Sequence, residues 1–243
     1  MSTEVAIREF LAGWTYSRSF PGTAYQHYKP LFHVHFGDRR YGRFDELLLL
    51  EPAEPAHVIR CAACLITGPH WLTIFASGQD QAALEAAYTR AGYKLRYQET
   101  LMEKALAAEQ PPVLPARLSL QTLSHVSDQA WQERFFAALP SYAQMALEAP
   151  RLTHYRVLIE GKSVASARSS ITPHSSLCVD EVYTDPAFRR RGLASILIQQ
   201  LLYDASLSGI HTSVLLASEM GKPLYLKLGY RALATALIFE KKE

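Results

Sequence analysis

The sequence predicts an α+β fold. After residue 116, segments of alternating polarity that are typical of strands recur between segments of helical period. Three prolines, Pro111, Pro112 and Pro115, mark a stiff linker, and the segment before it repeats features of the segment after it. We therefore expect an N-terminal domain at 1–106, the linker at 107–115 and a C-terminal domain at 116–243.

The C-terminal segment carries the clearer pattern of elements. A strand is predicted at 117–123, and Ser127 with Asp128 caps a helix that Pro140 separates from a second short helix ending near 149. Glu160-Gly161-Lys162 is typical of a hairpin turn. The remaining elements are predicted as strands at 155–160, 163–170, 177–184, 213–217 and 234–239, with helices at 193–207 and 221–228.

The N-terminal segment contains an internal repeat of the C-terminal one. Tyr88, Gly92 and Tyr93 match Tyr225, Gly229 and Tyr230 in spacing, and further along, without a gap, Glu103-Lys104 falls on Glu240-Lys241. The repeat predicts a truncated second copy of the same fold, in which the helix and strand at 88–104 superpose on those at 225–241. Its elements are expected as strands at 44–50, 71–76 and 93–103, with helices at 56–67 and 81–91.

Composition excludes several classes of protein. Hydrophobic residues make up 49% and charged residues 20% of the chain, and the net charge is +2, which favours a cytoplasmic globular protein over a nucleic-acid binder. We expect neither a signal peptide nor a membrane span, and a monomer or homodimer. Cys61 and Cys64 are interpreted as small buried apolar residues. His33 and His35 would share one face if residues 31–36 form a strand, but the sequence shows no further metal ligand beside them, so no metal is expected.

One motif carries chemistry. A strand ends near Thr184, Pro186 stops it, and a basic turn containing Gly192 opens directly into an amphipathic helix. Such a turn points unpaired main-chain N–H groups at one spot, where the helix dipole adds partial positive charge. A phosphate is the natural ligand of this arrangement.

The motif resembles that of the GNAT superfamily of acetyl-CoA-dependent N-acetyltransferases. The coenzyme A motif of that family, Gln/Arg-x-x-Gly-x-Gly/Ala, reads here from Arg189 to Ala194. The second family motif, Asn-x-x-Ala-x-x-Leu/Phe-Tyr-x-x-x-Gly-Phe, corresponds to the stretch from Ser218 to Tyr230. The resemblance covers roughly 116–243. It implies the GNAT fold, a mixed, mostly antiparallel sheet flanked by helices, preceded by a degenerate and truncated GNAT-like half. It also implies acetyl transfer from acetyl-CoA to an amine in a ternary complex.

The resemblance also implies roles for individual residues. Tyr225 would protonate the leaving thiolate, and Ser218 stands where the family often has an asparagine that contacts pantetheine. The main chain of the preceding strand would bond the thioester and the pantetheine amides, and the turn with the helix start would hold the pyrophosphate. The residues expected to bind coenzyme A are Val182, Tyr183, Thr184, Arg189, Arg190, Arg191, Gly192, Leu193, Ala194, Ser195, Ser218 and Tyr225.

The acceptor amine must lose a proton before it attacks. With an ammonium pKa of about 10.4, deprotonation at pH 7 costs about 4.6 kcal/mol, so a base is required. Asp180 and Glu181 point to opposite faces of the strand, and Glu181 is favoured as that base. The N–H of Val182 would stabilise the oxyanion. No step requires a metal.

The N-terminal copy lacks the phosphate turn. The corresponding stretch, Ala53-Glu54-Pro55-Ala56, has no glycine, carries an acid and loses a donor at the proline, so it should hold no coenzyme. Tyr88 is expected only to pack. Four aromatic residues could line the acceptor pocket or form ordinary core: Tyr16, Phe20, Tyr25 and Tyr28. A non-catalytic module that binds or senses acyl-CoA is the alternative function, and the amine acceptor, expected as a small molecule, is not identified.

Overall fold

The computed structural model describes residues 1–19, 22–40, 43–76, 78, 80–126 and 151–242. The first helix and the first hairpin have no counterpart among the elements expected from the sequence, whereas the later elements of the N-terminal segment lie within two residues of the expected bounds. In order, the elements are helix α1 (Thr3–Tyr16), strands β1 (Ala24–Tyr28), β2 (Leu31–Arg40) and β3 (Arg43–Leu49), helix α2 (Pro55–Leu65), strand β4 (His70–Ala76), helix α3 (Gln81–Arg90) and strand β5 (Lys94–Ala105).

The linker predicted at 107–115 contains neither helix nor strand. The two helices predicted between Ser127 and 149 lie outside the described residues. The elements that follow the linker are strands β6 (Leu118–Val126), β7 (Arg151–Ile159), β8 (Lys162–Ile171) and β9 (Ser176–Thr184), a short 3-10 turn (Pro186–Phe188), helix α4 (Leu193–Leu207), strand β10 (Thr212–Ser218), helix α5 (Lys222–Lys227) and strand β11 (Arg231–Lys241).

Within the described part of the chain, eleven strands form one mixed sheet in the order β1-β2-β3-β4-β11-β5-β10-β9-β8-β7-β6. Two neighbouring pairs, β3 with β4 and β9 with β10, are parallel, and the others are antiparallel. The fold is thus the expected α+β type. None of the described helices combines the length and the apolar character needed to cross a bilayer.

The two segments exchange their last strands. β11 of the C-terminal segment pairs with β4, and β5 of the N-terminal segment pairs with β10, while β5 and β11 pair with each other at the centre of the sheet. The sheet therefore runs continuously through both segments, and the division into domains at residue 106 stays a prediction.

The repeat is visible in local geometry. Tyr93 donates its N–H to the carbonyl of Tyr88 at 3.1 Å, and Tyr230 donates to Tyr225 at 3.0 Å. The glycine before each second tyrosine has a left-handed backbone, with φ of 85° at position 92 and 87° at position 229, which favours glycine. In each pair the two rings meet edge to face, at 6.0 Å and 5.6 Å between centroids. Tyr88 is buried, as expected of a packing residue.

Helix α1 packs on the C-terminal half of the sheet, although it belongs to the N-terminal segment. At Gly13 a Cβ would stand 2.1 Å from the Cβ of Cys178 on β9, so only glycine permits this approach. Phe10, Leu11 and Trp14 share a buried cluster with β2, β9 and β10 residues. Helix α4 covers the opposite face of β7 to β9 through Ile196, Leu197 and Leu201. The N-terminal segment therefore covers one face of the sheet at the site between β9 and β10, and the C-terminal segment covers the other.

Candidate active site

The turn between β9 and α4 presents free main-chain N–H groups. Asp185 caps the short 3-10 turn by accepting from the N–H of Ala187 at 2.9 Å. Gly192 is the N-cap of α4 with φ of 76°, and no side chain caps the helix there. The carbonyl of Gly192 accepts from Ile196, which leaves the N–H groups of residues 193–195 at the start of a 15-residue helix for an anion.

The three arginines of this turn are all exposed. Arg189 donates its Nε–H to the carbonyl of Thr184 at 3.1 Å, and Arg191 donates to the carbonyl of Ala187 at 3.2 Å. The Arg191 guanidinium also lies 5.1 Å from the ring centre of Phe188. Two of the three therefore tie the turn to its own backbone. Arg190 itself has a left-handed backbone with φ of 62°.

Strands β9 and β10 diverge beside this turn. Their parallel pairing joins Thr212–Leu215 to Ser176–Val179 and goes no further. Beyond it, β9 carries a bulge at Glu181, where φ is 49° and the register with β8 shifts. The main chain of 182–184 thus continues without β10 beside it. Val182 and Thr184 are half-buried here, and Tyr183 is exposed.

Tyr225 lies on α5 and is almost fully buried. Burial, and then the negative charge of Glu99, raise the pKa of its hydroxyl above the ordinary tyrosine value. Among the described residues, none hydrogen bonds to that hydroxyl. Ser218, at the end of β10, accepts from the N–H of Gly221 through its Oγ at 3.2 Å, which leaves its own O–H free to donate. Tyr225 thus holds its proton at neutral pH next to the strand divergence.

The side chains of Asp180 and Glu181 lie in different surroundings. The Asp180 carboxylate accepts two hydrogen bonds from Arg168, at 2.9 and 3.0 Å, and one from Arg18 at 2.7 Å. Burial alone would raise the pKa of Asp180, but the Arg168 hydrogen bond and both guanidinium charges hold it below its usual value. Glu181 is 57% exposed and pairs with Arg168 at 2.9 Å.

A pocket of about 420 Å³ lies between the two segments on the α1 face of the sheet. The aromatic residues suggested for it from the sequence are not there: Tyr16 and Tyr25 belong to the core, Tyr28 is exposed elsewhere on β1, and Phe20 lies outside the described residues. Apart from Asp180 and Glu181, the residues that line it were missed because they come from separate elements of both segments. The full lining is Phe10, Trp14, Arg18, Arg43, Glu46, Leu48, Trp71, Thr73, Tyr97, Glu99, Val179, Asp180, Glu181, Leu216 and Ile238.

The histidine pair has a third neighbour that the sequence did not show. Asp45 on β3 accepts through one oxygen from His33 Nε2 at 2.7 Å and from His35 Nδ1 at 2.8 Å. The three side chains form a compact group whose chemistry suits a metal ion. The two hydrogen bonds to Asp45 also account for the arrangement without a metal. The expected burial of the cysteine pair is wrong: Cys61 is half-buried and Cys64 is exposed.

Comparison with known proteins finds one family model that matches part of the chain. Residues 150–232 match the family model described as "Acetyltransferase (GNAT) domain". No curated protein sequence matches the chain. Among solved structures, a GCN5-related N-acetyltransferase from Kribbella flavida has a TM-score of 0.66 at 18% identity and covers 100% of this chain and 97% of its own.

Two further solved structures share the fold. A GCN5-related N-acetyltransferase from Sphaerobacter thermophilus has a TM-score of 0.55 at 14% identity, with coverage of 87% of this chain and 76% of its own. A tandem GNAT protein from the clavulanic acid biosynthesis pathway has a TM-score of 0.53 at 14% identity, with coverage of 92% and 84%. A second GNAT-like half in one chain is consistent with this tandem arrangement.

Proposed function

We propose that this chain, which carries a GNAT acetyltransferase domain in residues 150–232, transfers the acetyl group of acetyl-CoA to an amine by direct attack in a ternary complex. The observation that carries the proposal is the uncapped start of α4 behind Gly192, adjacent to the divergence of β9 from β10. The first feature fits a pyrophosphate, and the second opens a passage through the sheet for a thioester.

The pyrophosphate would lie against the N–H groups of Leu193, Ala194 and Ser195, where the helix dipole favours negative charge. Arg190 is exposed and makes no hydrogen bond that fastens the turn in the described part of the chain, so it is the most available of the three arginines for a phosphate. Arg189 and Arg191 would act chiefly by holding the turn in shape. The Ser218 hydroxyl remains a donor for the pantetheine arm.

The reacting carbonyl would lie in the gap between β9 and β10. There the N–H of Val182 would stabilise the oxyanion that forms as the amine attacks. Tyr225 would protonate the departing thiolate, because its hydroxyl carries a proton at neutral pH. Glu181 is the base expected from the sequence. Its carboxylate is already paired with Arg168, which favours a role in orienting the bulge of β9 over one in accepting a proton.

An assay of the full chain with acetyl-CoA and a panel of amines tests the proposal. Release of free thiol, matched by mass spectrometry of the acetylated amine, is the expected result. Tight binding of acetyl-CoA without acetylation of any amine would favour the non-catalytic sensing module. A folded protein that binds no coenzyme A would contradict both functions.

A further inference from the structure

Glu99 lies beside the end of β10 in the sheet. It belongs to β5, the strand that the N-terminal segment inserts beside β10, and it pairs with Ser218 at the last residue of β10. On its other side it pairs with Ala236 of β11. Its carboxylate therefore lies on the α1 face at the level where β9 has already separated from β10, on the wall of the pocket between the two segments.

Glu99 is also the unpaired acid of that pocket. Four carboxylates line it, and three of them have guanidinium partners: Asp180 and Glu181 pair with Arg168, and Glu46 pairs with Arg43. Within the described residues, Glu99 has neither a hydrogen bond nor an ion pair. A half-buried carboxylate without a partner is costly, so a cation is the ligand that would complete this pocket.

Apart from Arg18 and Thr73, the remaining walls are apolar or aromatic. Phe10 and Trp14 of α1 face the pocket from one side, Trp71 and Tyr97 from the other, and Leu216 lies toward the strand divergence. A volume of about 420 Å³ is within the range of small-molecule sites and too small for a folded partner. The pocket thus suits a cationic head attached to an apolar or aromatic body.

We propose that this pocket is the acceptor site, that its ligand is a primary amine on an apolar or aromatic body, and that Glu99 is the general base that removes the proton of the bound ammonium. The inference rests on the proposed acyl transfer and adds to it the class of acceptor and the base. It also gives the N-terminal segment a direct part in the chemistry, since β5 carries the base to the site.

The proton balance of the reaction is complete. Glu99 takes one proton from the ammonium, and the free amine forms a C–N bond to the thioester carbon. When the tetrahedral intermediate collapses, the C–S bond breaks and the thiolate takes the proton of Tyr225. The nitrogen loses its second proton to solvent, which restores Tyr225, and Glu99 releases its own proton to solvent.

The electrostatics of the site agree with this role. Burial raises the pKa of Glu99 above the ordinary value for glutamate, and the charge of Arg18 lowers it only in part, which narrows the gap to the pKa of the amine. Glu99 in turn raises the pKa of Tyr225. The charged and titratable groups around it are Arg18 from the turn after α1, Arg43 and Glu46 from β3, Tyr97 from β5, Asp180 and Glu181 from β9, and Tyr225 from α5.

The test compares Glu99→Gln with Glu85→Gln, the same change on an exposed residue of α3, and with Glu181→Gln. At pH 7 we expect Glu99→Gln to lower kcat/KM for phenethylamine by roughly 10²- to 10⁴-fold, while Glu85→Gln matches the wild type. Calorimetry should show unchanged coenzyme A affinity in Glu99→Gln and Glu85→Gln. Benzohydrazide, already neutral at pH 7, needs no base, so Glu99→Gln should affect it far less.

The pH profile separates a base from a merely structural residue. With the wild type, kcat/KM for phenethylamine should stay flat above the raised pKa of Glu99. In Glu99→Gln it should rise about tenfold per pH unit with the fraction of free amine. The proposal is overturned if Glu99→Gln retains the wild-type profile, if Glu181→Gln alone removes the activity, or if the CoA-loaded wild type neither acetylates nor binds any apolar amine. Failure to bind coenzyme A would instead refute the proposed function.

Discussion

Replacement of Asp180 by asparagine should destabilise the protein more than any change on its surface. The Asp180 side chain is 11% exposed and joins Arg168 on β8 to Arg18 in the turn after α1. Loss of one partner of a buried ion pair costs about 3–5 kcal/mol because the other charge is left without compensation. Here we expect about 3 kcal/mol, since Glu181 still pairs with Arg168 and Arg18 can turn toward solvent.

For a chain of this size, that loss corresponds to a fall in Tm of about 6–12 °C. Urea unfolding followed by circular dichroism measures the loss in the free energy of unfolding, and thermal unfolding measures the fall in Tm. Glu4→Gln is the control, because Glu4 forms an exposed pair with Arg8 on α1 and should change the free energy of unfolding by less than about 1 kcal/mol.

The effect of Asp180→Asn should also depend on pH. The native pKa of Asp180 lies below its unfolded value, so its stabilisation is present above the unfolded pKa and is lost as pH falls through the native one. The difference between wild type and variant should therefore be constant from neutral pH to about 4 and shrink below that. A difference under about 1 kcal/mol, or one that does not change in acid, would refute the assignment.

Three further predictions concern catalysis, assembly and metal. Tyr225→Phe should lower turnover by roughly 10- to 10⁴-fold with little change in coenzyme A affinity, and an unchanged single-turnover rate would limit Tyr225 to packing. A fragment of residues 116–243 lacks β5, which joins β10 to β11, so it should fail to fold as a monomer by sedimentation and circular dichroism. A cooperative monomeric fragment would contradict the importance of the strand exchange. Incubation with a chelator should leave turnover unchanged. If the chelator instead abolished turnover and zinc restored it, the result would point to a metal at His33, His35 and Asp45.

Sequence reasoning succeeded where the determinants are local. The strand end, the glycine turn and the helix start at 184–193 were predictable because they follow one another within a few residues, and Gly192 has the left-handed backbone that favours glycine. That this turn holds a phosphate stays a prediction. The repeat was identifiable because Tyr88 and Gly92 match Tyr225 and Gly229 in spacing. The structure places both tyrosine motifs in the same local geometry.

Sequence reasoning failed where contacts join distant segments. Side-chain alternation on β5 is the same whichever strand lies beside it, so the exchange with β11 left no local signal. Glu99 and Ser218 become neighbours only through that exchange. Asp45 reaches the histidine pair across a hairpin. The need for glycine at position 13 follows only from its close contact with Cys178.

Titration of the full chain with coenzyme A by calorimetry tests the central claim most directly. Wild-type protein should bind one coenzyme A. In Gly192→Val the affinity should fall by more than about tenfold, because a side chain strains the left-handed turn and shifts its N–H groups. Gly209→Val is the matched control, since Gly209 has φ of 74° at the far end of α4, and it should bind as the wild type does. Folded wild-type protein that gives no heat at high micromolar coenzyme A, or equal affinity in Gly192→Val, would contradict the account.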